Sequence, residues 1–180
     1  MRINHGIIEH LSFSWARYIK ENGGDSSVSE NTLRFTLQLW LSLIFICLFT
    51  ISSGFFLNTL NEAIIGLGTI GLLRYFSGGW HFKQLDICVI FTTFIVTIIP
   101  FVPELSREWL FSLNTLSLVL VFFLAPTGHG QLFKSTKQKQ VFKWISIMII
   151  FINYFLFHQV AIISALIQSL TLITIDRGKG

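Results

Sequence analysis

The chain has 180 residues, 52% of them hydrophobic and only 12% charged, with a mean hydropathy of +0.67. A soluble domain carries about 25% charged residues, so this chain cannot clothe a water-facing surface, and disorder, a coiled coil and a disulfide-stapled secreted fold are excluded with it. The length sets one domain over 1–180, and the net charge of +4 rests on so few groups that their placement matters more than their sum.

Residues 1–32 form the most polar long stretch and hold no early apolar run of the signal-peptide kind. Ile7, Ile8, Leu11, Trp15, Tyr18 and Ile19 recur at helical spacing, with Glu9, His10, Arg17 and Lys20 largely off that stripe. The pattern predicts an amphipathic helix in the membrane interface, anchored by Trp15 and Tyr18. The alternative is a helix that caps a transmembrane bundle. His5 and His10 are five apart, a poor helical spacing for a metal, and read as polar-face residues. Asn22 to Ser29 is turn-rich and reads as a linker to the bundle at 33–175.

Six apolar runs follow, at roughly 35–57, 60–76, 87–102, 109–125, 141–157 and 160–175. Most are near the lower limit for crossing about 30 Å of hydrocarbon as a helix. The expected fold class is therefore all-α, a polytopic membrane protein of about six transmembrane helices behind an amphipathic one. The second run holds Gly66, Gly68 and Gly71, so it either spans fully with close helix packing or re-enters. Twelve of the 13 Lys and Arg fall before the first run, in alternate connections, or after the last; the exception is Arg107. Positive residues stay cytoplasmic, which predicts cytoplasmic termini and cytoplasmic 74–86 and 126–143 connections. The run Lys134-Ser-Thr-Lys137-Gln-Lys139 serves this topology near anionic lipid, and a second role, attracting an acidic peptide segment, is open. Nucleic-acid binding is not expected, because no basic, aromatic-interleaved soluble surface remains.

One stretch is too polar for packing alone: Arg74-Tyr-Phe-Ser-Gly78-Gly79-Trp-His81-Phe-Lys-Gln-Leu-Asp86-Ile-Cys88. Cys47 lies within an apolar run and reads as a small hydrophobe. Cys88 lies at a membrane boundary, with His81 seven residues earlier. A thiolate is the nucleophile, a nearby imidazole activates it, and the cytoplasm keeps such a thiol reduced. Seven residues of unbroken helix would separate the two by roughly 10 Å along the axis, too far for a hydrogen bond. A dyad therefore requires a break between them, and Gly78-Gly79 supplies the freedom. Asp86 is either an orienter for His81 or a cap for the third span. HExxH, CxxC and GxSxG do not occur, so metalloprotease, redox and serine-hydrolase readings lack their motifs. No metal site and no cofactor are expected; His129 reads as a loop residue, and His158 lies away from the segment.

The pattern Arg74-x3-Gly78-Gly79-x-His81-x6-Cys88 resembles the accessory gene regulator protein B (AgrB) family, membrane cysteine endopeptidases of Gram-positive quorum sensing. Chain length, the amphipathic start, six apolar runs and Ala125-Pro126 before a Lys-rich loop extend the likeness over essentially the whole chain. The resemblance implies that His81 and Cys88 are catalytic and that Arg74 and Gly79 are functionally important. It implies an AgrD-like propeptide as substrate, a homodimer, and a multi-pass location in a Gram-positive cell membrane with the site on the cytoplasmic side. The competing readings are a non-enzymatic peptide exporter or channel, which would need no thiol, and a small structural or receptor protein.

Overall fold

The structure is a computed structural model, and it describes residues 6–23, 29–80, 84–127 and 135–173. Among the described residues all regular structure is helical: α1 (Ile7–Glu21), α2 (Glu30–Phe56), α3 (Leu60–Ser77), α4 (Leu85–Ile98), α5 (Arg107–Leu124), α6 (Thr136–Leu156) and α7 (Gln159–Leu170). The expected all-α class is observed, and one helix stands on each of the six apolar runs.

The helix ends follow from local chemistry more than from hydropathy. The α2 helix starts five residues before its apolar run, because the Ser29 hydroxyl accepts from the Thr32 amide and caps it. Ser135 does the same for α6 by accepting from Gln138. Lys137, Lys139 and Lys143 thus lie on a helix, which corrects the expected loop over 126–143. Pro100 turns α4 into a single 3-10 turn, Ile99–Phe101. The α5 helix stops where Pro126 forces Ala125 into an extended conformation.

Among the described residues three helices are long and apolar enough to cross a membrane: α2, α5 and α6. Of the about six transmembrane helices expected, these three have the length and hydropathy to cross, and the stretches Leu85–Phe101 and Gln159–Leu170 are shorter apolar helices. The α7 helix has 12 residues and is about 18 Å long at 1.5 Å per residue. Its apolar run continues to 175, but the chain leaves the helix at Thr171, and hydropathy does not register a change of backbone direction.

Packing divides the interior in two. Ile8, Leu41 and Val89 join α1, α2 and α4, with Leu11, Phe45 and Leu85 around them. Leu73, Val121, Ile150, Ala165 and Leu172 join α3, α5, α6 and α7. The α3 helix touches both halves, since it packs on α2, α4, α6 and α7. The α7 helix is the innermost element, buried through Val160, Ala161, Ile162, Ser164, Ala165, Gln168 and Ser169. Small Ala and Ser side chains let its neighbours approach closely. Of the three glycines of α3, only Gly66 meets close neighbours, Val96, Val160 and Ser164; Gly68 and Gly71 face open space.

The α1 helix packs on the bundle, as the capping reading expects, and keeps an exposed apolar face. Ile8, Ser12 and Ala16 are buried against the bundle, while Ile7, Trp15 and Tyr18 stay exposed at 71%, 54% and 67%. One face therefore caps α2 and α4, and the aromatic face is left outward.

Candidate functional site

The expected break between His81 and Cys88 is present. The α3 helix ends at Ser77 and α4 begins at Leu85, and Gly78, Gly79 and Trp80 are not helical. His81 lies outside the described residues, as do His129 and Lys134.

Both glycines are required by backbone and by space. Gly78 has φ +76° and Gly79 φ +137°, values that L side chains rarely adopt. A Cβ on Gly78 would come within 2.8 Å of the Thr127 carbonyl oxygen, and one on Gly79 within 2.6 Å of Thr171 Oγ1. The segment is thus pressed between the stretch after α5 and the end of α7.

Hydrogen bonds hold it there. The Thr127 amide donates to the Ser77 carbonyl at 3.0 Å, and the Trp80 amide donates to the Thr171 carbonyl at 2.9 Å. Gln168, 2% exposed, donates through Nε2 to the Gly78 carbonyl at 2.9 Å. On the far side Arg74 Nη2 donates to the Trp80 carbonyl at 3.3 Å.

The same Arg74 nitrogen lies 3.4 Å from Cys88 Sγ. Cys88 sits in the first turn of α4, half-buried and not in a disulfide. A guanidinium N–H holds a sulfur more strongly when that sulfur carries negative charge. Cys47, the other free thiol, lies on α2. Next to the Arg74–Cys88 pair a narrow cleft opens between α3, α4 and α7, walled by Ile70, Phe91, Ile95 and Ile167, with Arg74 and Gln168 among its polar edges.

Asp86 does not cap α4 as one of its two expected roles required; its bonds run to another helix. Its Oδ2 accepts from the Ile7 amide at 2.5 Å and its Oδ1 from the Ile8 amide at 3.0 Å. It therefore caps the start of α1 across the fold, and α4 has no side-chain cap. Helix starts attract carboxylates because their first amides lack partners. Asp86 so docks α1 two residues from Cys88. Lys137 and Lys139 are exposed on the first turn of α6. Among the described residues no cluster of three or more His, Cys, Asp or Glu could hold a metal ion.

Sequence reasoning missed Ser77, Thr127, Gln168 and Thr171. Gln168 carried a usable signal, an amide inside an apolar run, which is costly in lipid unless it has a partner. The partners themselves are 90 residues apart in Gln168 and Gly78, beyond any local pattern.

Among the described residues these features define an all-helical protein with helices long and apolar enough to cross a membrane and a free thiol held by an arginine at a helix start. The chain matches the family model described as Accessory gene regulator B over residues 12–175, and it belongs to that family. Membership supports a role in the quorum sensing of that system. No curated protein and no solved structure matches the chain.

Proposed function

We propose that the chain is a membrane-embedded cysteine endopeptidase that removes the charged C-terminal tail of an AgrD-like propeptide and promotes its cyclisation. The observation that carries this reading is the Arg74 contact to Cys88 Sγ beside a glycine-broken segment, in a chain of this family. His81 takes the thiol proton as Cys88 attacks the carbonyl where the tail begins. The peptide C–N bond breaks, His81 passes the proton to the leaving amine, and a thioester joins the substrate to Cys88. A Cys or Ser side chain of the substrate then attacks the thioester, closes a thiolactone or lactone ring, and returns the proton and the free thiol to Cys88. Limited water access at a membrane site disfavours hydrolysis of the thioester relative to ring closure.

The same proposal includes the arrangement in the membrane. Six helices, α2 to α7, cross or enter the bilayer of a Gram-positive cell, with both termini, the Gly78–Gly79 segment and the start of α6 on the cytoplasmic side. The alternation of Lys and Arg along the chain supports it. Lys134, Lys137 and Lys139 are suited to the acidic part of a propeptide tail, the outward aromatic face of α1 to membrane lipid, and the working form is a homodimer. No cofactor and no nucleic acid take part.

The test is to trap the thioester. A propeptide whose ring-forming Cys or Ser is replaced by Ala can be cut but cannot cyclise. Intact-protein mass spectrometry should then find the wild-type chain carrying the leader and ring segment without the tail. Neutral hydroxylamine should release the adduct, and His81→Ala should form little of it. Tail release with no hydroxylamine-labile species on Cys88 overturns the mechanism.

A further inference from the structure

We propose that Gln168 is a positioning residue of this peptidase: its buried side-chain amide fixes the Gly78–Trp80 backbone, and through the Trp80 carbonyl the Arg74 guanidinium that holds Cys88 Sγ. The inference rests on the endopeptidase reading above.

The segment needs an external grip. Two consecutive glycines with positive φ have more accessible conformations than any other dipeptide, and the local bonds, Gly78 amide to Arg74 carbonyl at 3.0 Å and Ser77 Oγ to Gly78 carbonyl at 3.4 Å, reach no further than Gly78. Three bonds from outside select the observed conformation: Gln168 Nε2 to the Gly78 carbonyl, the Thr171 carbonyl to the Trp80 amide, and Arg74 Nη2 to the Trp80 carbonyl. Two of the three come from the end of α7. The third comes from the arginine that also touches Cys88 Sγ. The segment is thus tied on one side to α7 and on the other to the guanidinium that touches the thiol, so this grip sets where Arg74 meets Cys88.

Gln168 suits the task better than a hydroxyl or a charge. It lies at 2% exposure on the innermost helix, where an unpaired carbonyl loses its hydration with nothing in return. The Gly78 carbonyl, left without a helix partner where α3 ends, needs a neutral donor with reach. Gly79 allows that approach, since a Cβ there would lie 3.0 Å from Gln168 Nε2 and 2.6 Å from Thr171 Oγ1. Misplacement of a reacting group by about 1 Å can cost on the order of 100-fold in rate, so a loose segment would fold and bind yet react slowly.

The experiment uses the full chain in proteoliposomes, with a synthetic AgrD-type propeptide as probe: amphipathic leader, internal Cys, charged tail. Gln168→Leu should lower kcat for tail release by about 10- to 100-fold, with KM near wild type and a lowered melting midpoint, because the Gly78 carbonyl loses its donor. Gln168→Glu keeps the shape but donates only when protonated, so its rate relative to wild type should rise as pH falls from mildly alkaline to mildly acid. A wild-type kcat for Gln168→Leu, or a pH-independent ratio for Gln168→Glu, overturns the inference. If Gln168→Leu does not fold, the Gln168→Glu ratio decides alone. Cys88→Ala in the same assay separates the two claims. Tail release that survives Cys88→Ala, or its absence with the wild type, sinks the peptidase reading. Release that needs Cys88 but not Gln168 sinks only the positioning role.

Discussion

A glutamine near each end of α7 holds a connection between two other helices, and the two connections are built in opposite ways. Gln159 accepts from the Leu105 amide at 2.8 Å and donates to the carbonyls of Val102 and Pro103 at 3.0 and 3.1 Å. That connection, between α4 and α5, contains Pro100 and Pro103, whose rings already restrict φ. Gln168 holds Gly78 at the other end, in a connection whose glycines restrict nothing. Stiffness is covalent at the first end and borrowed from α7 at the second. Gln159 is half-buried and Gln168 fully buried, so water can replace the first grip and not the second. A grip that only tertiary bonds can supply belongs where the position of the backbone matters most, beside the Arg74–Cys88 pair.

The largest effect that tests this contrast is on the thiols. Cys88→Ala should abolish tail release from the propeptide and Cys47→Ala should leave it intact, as read by mass spectrometry of the products. Equal behaviour of the two variants would put the chemistry at neither end of α7.

An all-or-none readout then asks which end faces which side. A single Cys introduced at Ser135 should react with an impermeant maleimide only after permeabilisation, whereas one at Glu104 should react in intact cells. Reaction of the Ser135 tag from outside would invert the orientation and separate the Gly78–Gly79 segment from a cytoplasmic substrate.

Next in size is Gly79→Ala. The new Cβ combines a φ of +137° with a 2.6 Å approach to Thr171 Oγ1, a strain of about 1–3 kcal/mol. Tail release should fall about 100-fold with a smaller drop in the melting midpoint. An active Gly79→Ala would show that the segment tolerates displacement and would remove the contrast between the two ends.

The smallest effect belongs to Gln159→Leu. It deprives the Leu105 amide of its partner and should cost about 1 kcal/mol, seen as a lowered thermal midpoint in detergent with unchanged kcat. A large loss of kcat would show that both grips serve the reaction.

Much of the candidate site was legible before any fold was known. Arg74, Gly78, Gly79, His81, Asp86 and Cys88 fall within 15 consecutive positions, and the seven-residue spacing required the break that the structure contains. Asp86 was visible as a capping residue but not as a cap for α1, because its partners, the amides of Ile7 and Ile8, lie 78 or more positions away. The lysines of 134–143 read as a loop because apolar periodicity starts only at Val141, while the Ser135 cap starts the helix five residues earlier.

By itself the sequence determined the helical class, the place of each apolar helix, the family and the polar segment, since all four rest on local composition and short spacing. Tertiary structure alone decided that α7 is the short central strut, that α1 splits its stripe between bundle and exterior, and that Gln168 and Thr171 close over Gly78–Trp80. Those outcomes depend on where distant side chains meet, and a helical period repeats the same signal on every face that later proves buried, lipid-facing or functional.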